Sequence, residues 1–338
     1  MPYPGAQTRR GPAGTSLDLD AFPKLSHMTV RAVFAGLATL DIVQLVERLP
    51  YPDEKVAALD FLVAAGGPAA NAAVAFAHCG GEALLVTVLP AHAITALIVS
   101  DLEGHGVDVS VAAGYEGAPI TASIMVTQAT GERAVVSPTG TATNANPAPT
   151  FELPGLDGAD ASRVGAVMLD GYFRAVGLPL ARAARQRGIA VILDAGSHKH
   201  YTDEVVAAVD VAVVSHDFAP PGTDGNTEAV FAYLRGLGVT HAAITRGERD
   251  ILFVTPSGGG SVPVDRVDVV DTLGAGDFFH GALAYRIASL GLDDARFADD
   301  LAYAARVAGE SLGSFGTRAW LAGDRPDGND FTDAPNRT

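Results

Sequence analysis

The stretch DTLGAGDFFHGAL, residues Asp271–Leu283, places a glycine-rich turn directly before the start of a helix. It follows VDRVDVV (residues 264–270), an alternating apolar run that predicts a strand, and leads into an apolar helical face that Gly291 ends. A glycine-rich turn between a strand and a helix points backbone N–H groups and the positive end of the helix dipole at one place. The stretch therefore predicts an anion site.

The residues of that site have a direct chemical use. Asp277 stands in the first helical turn, where a carboxylate could take a proton from a hydroxyl that attacks a phosphate. The same aspartate could instead only complement the dipole of an ordinary helix start, and local physics leaves both readings open. The backbone amides that would bind the anion are those of Gly274, Ala275 and Gly276.

Two more common phosphate-binding motifs do not describe this turn. A dinucleotide fingerprint, GxGxxG, requires glycine where this chain has Phe279. A P-loop requires GK[ST], and here Ala282 follows Gly281. The motif is therefore neither a Rossmann fingerprint nor a Walker sequence.

The string DTLGAGD resembles the DTxGAGD signature of the PfkB, or ribokinase-like, carbohydrate kinases, and the resemblance extends from about Val30 to Thr317. It implies an ATP-dependent sugar kinase in which Asp277 is the general base and residues 274–276 form the anion hole. It also implies an α/β fold: a three-layer, Rossmann-like sandwich with a mostly parallel central sheet and a small β lid.

The periodicity of the chain independently predicts a parallel sheet. From Val164 onward, apolar strands alternate with helices of about ten residues, which is typical of βαβ units. Two strand-like segments, roughly 39–66 and 111–138, interrupt the early alternation, and the family resemblance assigns them to the lid. We expect a kinase domain over residues 28–320, a disordered tail over 1–27 with Met28 as an alternative start, and a polar tail over 321–338.

Composition restricts the partners and the compartment. The chain of 338 residues is 48% hydrophobic, with a net charge of −16 that argues against nucleic acid and anionic membranes as partners. Its single cysteine, Cys79, excludes an internal disulfide and fits a reducing compartment. No apolar run approaches the ~20 residues of a membrane span. We therefore expect a cytoplasmic enzyme with small-molecule substrates.

The acceptor end of the site is predicted from two early segments. Asp41 follows the first strand, at the edge where open α/β sheets bind ligands, and its carboxylate suits two adjacent sugar hydroxyls. Gly66 and Gly67 allow close approach of a ligand before a helix that carries Asn71 in its first turn. These residues resemble the sugar-binding signature of the family, although Pro68 replaces a residue that is polar in several relatives. A turn aspartate and a plain glycine-rich helix entry are the alternatives.

The lid contributes one candidate and one expectation about assembly. Arg133, in TGERAVV, could reach the transferred phosphate or an anionic group of the substrate, although hairpin arginines are usually solvated. The lid also has a second face, which favours a homodimer formed through it.

The nucleotide end is predicted from the family resemblance. ITRGERD resembles the TxGxxG segment beside the ATP phosphates, with Thr245 and Gly247, although Asp250 replaces the last glycine. Thr272 is a further candidate for nucleotide binding; it lies in the glycine-rich turn of residues 272–276, which we call the phosphate turn. VAGESLGSFGT resembles the loop that lines the adenine pocket, which makes candidates of Ser311, Gly313 and Gly316.

Cation binding is predicted only in outline. ATP phosphoryl transfer requires Mg²⁺, yet Ser215 and Phe218 occupy the defined positions of the NxxE motif that organises it in many relatives. Asp217 is a substitute candidate, and Asp271 is a candidate for a monovalent cation such as K⁺, as in potassium-activated relatives.

The acceptor itself stays open at this point. Several stretches are similar to ketohexokinases and to bacterial kinases of fructose-like sugars, including sulfofructose, so a ketose is the first expectation. A nucleoside is the alternative within the family, for which Phe34 and Phe61 are the available aromatic residues. A sugar-binding regulator without catalysis is the alternative from another class.

Overall fold

The computed structural model describes residues 29–112, 116–138, 154–157 and 163–323. The expected tail over residues 1–27, the alternative start at Met28, and residues 324–338 of the second tail lie outside the described residues.

A nine-stranded sheet forms the centre of the molecule, in the order β13-β12-β11-β10-β9-β8-β1-β4-β5. The strands from β5 to β11 in this order run parallel, and β12 and β13 are antiparallel at one edge. The strands are β1 (Arg31–Ala35), β4 (Glu82–Val88), β5 (Val107–Ala112), β8 (Val164–Leu169), β9 (Ala190–Ala195), β10 (Val211–Ser215), β11 (His241–Arg246), β12 (Arg249–Thr255) and β13 (Gly258–Val262). The mostly parallel sheet predicted from the alternation is confirmed.

A second sheet of four strands is built from the two segments that interrupt the alternation. Its order is β3-β2-β6-β7, with β2 (Thr39–Val46), β3 (Asp60–Gly66), β6 (Thr121–Thr127) and β7 (Arg133–Val136). Its inner face buries Val43, Ile124 and Val126, and Leu273 of the phosphate turn packs against them. The small sheet therefore covers the glycine-rich turn. Residues 111–112 belong to β5 of the large sheet rather than to this one.

Helices cover both faces of the large sheet and give three layers. The helices are α1 (Pro68–His78), α2 (Ala93–Gly104), α3 (Arg174–Gln186), α4 (Thr202–Val206), α5 (Thr227–Gly236), α6 (Ala275–Leu290) and α7 (Phe297–Ser311), followed by a 3₁₀ turn (Ala319–Ala322). Helices α1, α2, α6 and α7 share one apolar core, and α3, α4 and α5 share the other. Within the ranges that the structure describes, none of these helices is long and apolar enough to cross a membrane.

Close packing of α1 against α6 brings two distant parts of the chain together. A Cβ on Gly281 would lie 2.1 Å from the backbone oxygen of Ala72, so only glycine permits this approach. The N-terminal turns of both helices consequently lie side by side, and both carry predicted site residues. The fold therefore brings Asn71 to Asp277.

The strand predicted over residues 264–270 is wrong. The segment forms no strand, and Val267, Val269 and Val270 are 41 to 47% exposed. Its alternating valines have another use, because Val264, Val267 and Val269 line a cavity beside the phosphate turn. The apolar residues of this segment therefore line a cavity rather than forming a β ladder.

Candidate active site

The phosphate turn has the backbone geometry that an anion site needs. Gly274 caps α6 with φ 77°, in the left-handed region, and a Cβ there would meet the ring of Phe278 at 2.9 Å. The first amides of a helix have no acceptor one turn earlier. The N–H of Ala275 has only a 3.5 Å contact to the backbone oxygen of Thr272. The amides of the turn can therefore donate to a ligand anion.

Asp277 lies beside that turn and is held by α1. The side-chain nitrogen Nδ2 of Asn71 donates to Oδ2 of Asp277 at 2.8 Å, and Asn71 is 3% exposed. Burial, followed by the negative charge of Asp194, raises the pKa of Asp277 to about 7. The hydrogen bond from Asn71 opposes this rise. A carboxyl group with a pKa near neutrality suits general base catalysis.

Two further side chains lower the pKa of Asp277, after Asn71, and one of them comes from the same helix. His280 is buried, its Nδ1 lies 2.7 Å from the backbone oxygen of Gly276, and 3.4 Å separates it from Asp194 Oδ2. Arg133 of β7 is the other. The structure places His280 between the anion turn and a second carboxylate.

A cavity of about 210 Å³ opens on the side of Asp277. It lies at the carboxyl ends of β8 and β9, the edge where ligands bind in open parallel sheets. Lys199 is the one lysine or arginine among its described lining residues, and its ammonium lies 4.1 Å from the ring centre of Tyr172. The other lining residues include Pro68, Asp170, Asp194, Gly196, Ser197, Tyr201 and Asp277.

Asp170 shapes this cavity rather than offering free oxygens to a ligand. Its carboxylate accepts the backbone N–H groups of Leu37 at 2.8 Å, Ala69 at 3.1 Å and Tyr172 at 2.9 Å. Burial raises the pKa of Asp170 to about 6 in spite of these three donors. A Cβ on Gly36 would lie 2.1 Å from Oδ1 of Asp170. The aspartate therefore joins the ends of β1 and β8 to the start of α1.

Asp41 lies at the start of the lid, 6% exposed, and is not among the described residues that line this cavity. Thr39 donates its hydroxyl to Oδ1 of Asp41 at 2.6 Å, and a Cβ on Gly66 would lie 2.0 Å from Oδ2. Burial raises the pKa of Asp41, which Thr39 and Arg318 oppose. Gly67 has φ 99°, and a Cβ there would meet the backbone oxygen of Leu37 at 2.3 Å. Both glycines are thus required by close packing around Asp41 and the start of α1.

A second cavity, of about 720 Å³, opens on the opposite side of the phosphate turn. It is lined by Thr245, Gly247 and Thr272, the three residues that are candidates for binding the nucleotide phosphates and ribose. Ala275 and Gly276 contribute to the same wall, together with residues of α7 that include Ala305, Ala308 and Gly309. Its volume is in the range of sites for nucleotide-sized ligands.

The three residues predicted for an adenine pocket are placed elsewhere. Ser311, Gly313 and Gly316 are absent from the described residues that line this cavity, where Gly309 and Leu312 stand instead. Ser311 is buried and donates to the backbone oxygen of Ala308 at 2.7 Å. Gly316 packs on Leu62 of the lid.

Arg133 connects the lid to the phosphate turn. One guanidinium nitrogen donates to the hydroxyl of Thr272 at 2.8 Å and to its backbone oxygen at 3.3 Å. The Thr272 hydroxyl in turn donates to the backbone oxygen of Gly131 at 3.3 Å. The hairpin arginine is therefore engaged with the turn whose amides would bind phosphate.

The two predicted cation ligands differ in their surroundings. The side chain of Asp217 is 77% exposed and belongs to the described lining of neither cavity. The residue does not fit as a metal ligand at this site. Asp271 is 2% exposed, and its two oxygens accept the N–H groups of Leu273 and Gly316, each at 2.9 Å. The monovalent cation at Asp271 stays a prediction.

Sequence reasoning missed three polar residues of the smaller cavity: Asp170, Asp194 and Lys199. The signal that selected Asp41 was available for two of them, because Asp170 directly follows β8 and Asp194 lies near the end of β9. Lys199 lies in a loop, where no periodic pattern predicts which way a side chain points.

Comparison with known proteins agrees with this geometry. The sequence pattern of pfkB family carbohydrate kinases matches residues 31–322. Aminoimidazole riboside kinase of Salmonella typhimurium is 46% identical over 55 residues, a stretch that covers 16% of this chain and 17% of that relative. The chain is thus aligned with only a small part of that curated relative.

Solved structures share the fold at low sequence identity. Ribokinase from Giardia lamblia is 19% identical with a TM-score of 0.71, over 87% of this chain and 96% of that one. Arabidopsis thaliana ribokinase complexed with ribose and ATP is 23% identical with a TM-score of 0.64, over 86% and 94%. Aminoimidazole riboside kinase from Salmonella enterica, with aminoimidazole riboside and an ATP analogue, is 22% identical with a TM-score of 0.61, over 86% and 96%.

Because the family pattern spans most of the chain and includes both the phosphate turn and Asp277, the protein belongs to the pfkB family of carbohydrate kinases.

Proposed function

We propose that this protein transfers the γ-phosphoryl group of ATP to a hydroxyl of a small sugar, with Asp277 as the general base. The observation that carries the proposal is that consecutive residues at the start of α6 line two different cavities. Asp277 lines the smaller one, while Ala275 and Gly276, two residues and one residue earlier, line the larger one. A hydroxyl in the first cavity and a triphosphate in the second would meet at the phosphate turn.

In the proposed reaction, deprotonated Asp277 accepts the proton of the acceptor hydroxyl. The hydroxyl oxygen bonds to the γ-phosphorus as the bond to the bridging oxygen of ADP breaks. The amides of residues 274–276 and the helix dipole stabilise the negative charge of the transferred group. The ammonium group of Lys199 would add to this charge stabilisation from the smaller cavity, because Lys199 is the cationic residue among the described lining residues of that cavity. Closure of the lid would exclude water, which otherwise competes as acceptor.

The smaller cavity, which we propose as the acceptor cavity, suits a small sugar better than a purine nucleoside. The two aromatic residues proposed for a nucleoside lie elsewhere: Phe34 is fully buried against Phe76 in the core, and Phe61 is 69% exposed. The face of Tyr172 is occupied by Lys199. Among small sugars we propose a ketose first, because of the similarity of the sequence to ketohexokinases and to kinases of fructose-like sugars.

Mg²⁺ would neutralise the phosphate oxygens of the bound nucleotide. Among the residues that the structure describes, no group of three or more His, Cys, Asp or Glu side chains could hold a metal ion. Since Asp217 does not fit either, we propose that nucleotide oxygens and water hold the cation.

We also propose a homodimer formed through the outer face of the small sheet. Ile42 pairs with Val63 across β2 and β3, and these residues are 36% and 45% exposed. Phe61 and Val136, on the same face by register, are each 69% exposed. An apolar surface of this kind is typical of an interface.

The test is ADP release from ATP and Mg²⁺ in the presence of a panel of ketoses, aldoses, sugar phosphates and nucleosides. A kinase releases ADP in proportion to the amount of one acceptor that is consumed, and it converts that acceptor to a phosphate ester. A catalytically silent regulator binds a sugar without turnover, and that result would refute the proposal.

A further inference from the structure

Arg318, directly after the stretch that the sequence compares with the adenine loop, is buried beside the acceptor end of the site. Its side chain is 8% exposed and lies 3.0 Å from Asp101 Oδ2 on α2. Burying a guanidinium requires that its charge and its N–H groups be compensated. The contacts of Arg318 show how that is achieved.

All five N–H groups of Arg318 have acceptors. Nε and one terminal nitrogen donate to Oδ2 of Asp101, at 3.2 and 3.0 Å. The same terminal nitrogen donates to the backbone oxygen of Ala65 at 2.7 Å. The other donates to Oδ1 of Asn71 at 3.2 Å and to the backbone oxygen of Thr317 at 3.0 Å. A guanidinium so fully engaged holds protein groups in place and has no donor left for a substrate anion.

The bond to Asn71 has a chemical consequence. An amide side chain can turn over and exchange its oxygen for its nitrogen. Since Arg318 can only donate, Oδ1 of Asn71 must face it, and Nδ2 then faces Asp277, to which it donates at 2.8 Å. Reversal of the amide would direct an oxygen at the carboxylate.

The bonds to Asp101 and Ala65 extend this network to the lid. Asp101 Oδ2 also accepts the N–H of Ala65 at 3.0 Å, so the two side chains hold both polar groups of that residue, near the end of β3. Gly66, the next residue, packs against Asp41. Arg318 therefore lies where the small sheet, Asp41 and Asp277 come together.

We propose that Arg318 is a positioning residue: it fixes the orientation of the Asn71 amide, and through it the hydrogen bond to Asp277, while tying lid strand β3 to the same point. The effect of Arg318 on catalysis rests on the proposed function. The hydrogen bonds from Arg318 through Asn71 to Asp277 can be tested without measuring turnover.

The test is a carboxyl ¹³C NMR titration of Asp277 in the full-length protein labelled with [¹³C]aspartate, the resonance being assigned by its loss in Asp277→Asn. The groups that face this carboxyl are Asp194 from β9, His280 from α6, Arg133 from β7 and Asn71 from α1. Because the negative charge of Asp194 acts on Asp277, the midpoint is compared between variants rather than assigned to one group alone. The variants are Asn71→Ala, Arg318→Gln, Arg318→Lys and the double variant Asn71→Ala/Arg318→Gln.

We expect Arg318→Gln to raise the midpoint by about 0.5–1 pH unit, as loss of one hydrogen bond to a charged group would. The double variant should shift no further than Asn71→Ala alone, because both changes remove the same bond. Arg318→Lys keeps a cation that can only donate but loses the planar fork, so its shift should be smaller than that of Arg318→Gln. An unchanged midpoint in Arg318→Gln, additive shifts in the double variant, or a shift in Arg318→Lys as large as that in Arg318→Gln would each overturn the proposal.

Arg286→Gln is the matched control, since Arg286 is a buried arginine on α6 that pairs with Asp300 at 2.9 Å. It should lower thermal stability and leave the midpoint in place. In the same samples, the pH profile of sugar-stimulated ADP release should move with the midpoint, so that the rate at pH 6 falls about 3–10-fold and recovers near pH 8.5. A wild-type protein without sugar-stimulated ADP release refutes the proposed function, while the titration still decides the role of Arg318.

Discussion

Asn71 and Asp277 are 206 residues apart in the chain, and a 2.8 Å hydrogen bond joins their side chains. The contact exists because α1 and α6 pack so closely that Gly281 has no room for a Cβ. Asn71 donates to a carboxyl group that burial and Asp194 would otherwise keep protonated. The bond therefore favours the charged form of Asp277, the form that can accept a proton.

The first prediction concerns the pH dependence of the reaction. The pKa of Asp277 is raised to about 7, and a base acts only when deprotonated, so kcat/KM should rise with pH and level off above about pH 8. Asp194→Asn removes the neighbouring negative charge and should move the rising limb to lower pH. Initial rates between pH 5 and 9 measure both curves. A limb that stays in place in Asp194→Asn would contradict this electrostatic account.

The second prediction concerns stability, and its sign follows from the same pKa. The pKa of Asp277 is about 7 in the folded protein, against an ordinary value of 3.8 for aspartate, so the folded state binds more protons between these values. The carboxyl group then destabilises the fold progressively as pH rises through that window. Asp277→Asn should be more stable than wild type at pH 8, by on the order of 1–2 kcal/mol given partial exposure, and the gain should vanish near pH 4.

Urea unfolding of both proteins at pH 4 and pH 8 measures this difference. The control is Asp217→Asn, because that side chain is largely exposed and should behave alike at both pH values. Equal stability of Asp277→Asn and wild type at pH 8 would show that burial does not disfavour the charged form of the Asp277 carboxyl group.

The phosphate turn shows how far the sequence determines this site. The order of glycine, alanine, glycine and aspartate specified the turn and the helix start, since these depend on neighbours in the chain, and it made Asp277 the candidate base. The family resemblance implies that Asn71 contacts the sugar, but it does not predict the contact between Asn71 and Asp277, and nothing in the sequence marks the role of Arg318. A single arginine after a glycine-rich loop carries no periodic signal, and its acceptors come from β3, α1 and α2.

The third prediction concerns the packing of Asp41. In Gly66→Ala the new Cβ would lie 2.0 Å from Oδ2 of Asp41, so the carboxylate must move. We expect kcat/KM for the acceptor to fall by up to about 10²-fold while the affinity for ATP is unchanged. Steady-state kinetics and nucleotide titration separate the two. Gly104→Ala is the control, because nothing lies within 4 Å of its Cβ. Normal acceptor kinetics in Gly66→Ala would show that Asp41 has no part in acceptor binding.

The fourth prediction concerns the outer face of the small sheet. Phe61 is 69% exposed there, and Phe61→Glu should convert a dimer to a monomer by burying a charge in the interface. Light scattering coupled to size-exclusion chromatography measures the mass. Leu97→Glu, which changes a 56% exposed leucine on α2, should leave the dimer intact. A monomeric wild type, or a dimer in Phe61→Glu, would contradict the proposed interface.

The strand that does not form over residues 264–270 shows where pattern alone fails. Alternation of apolar residues predicts a strand because it usually serves a core, and here it lines a cavity instead. The missed residues of the acceptor cavity have a related cause. Asp170 and Asp194 end adjacent strands, but only the sheet order shows that β8 and β9 are neighbours. Strand order depends on long-range packing that local sequence does not encode.

The central claim is that Asp277 is the base for phosphoryl transfer from ATP to a sugar hydroxyl. The most direct measurement is transfer of the γ-phosphate of radiolabelled ATP to the best acceptor, compared between wild type and Asp277→Asn, with ATP affinity determined on the same samples. The account predicts that the variant loses about 10²–10⁴-fold in kcat and binds ATP as wild type does. Transfer at a near-normal rate by Asp277→Asn would contradict it.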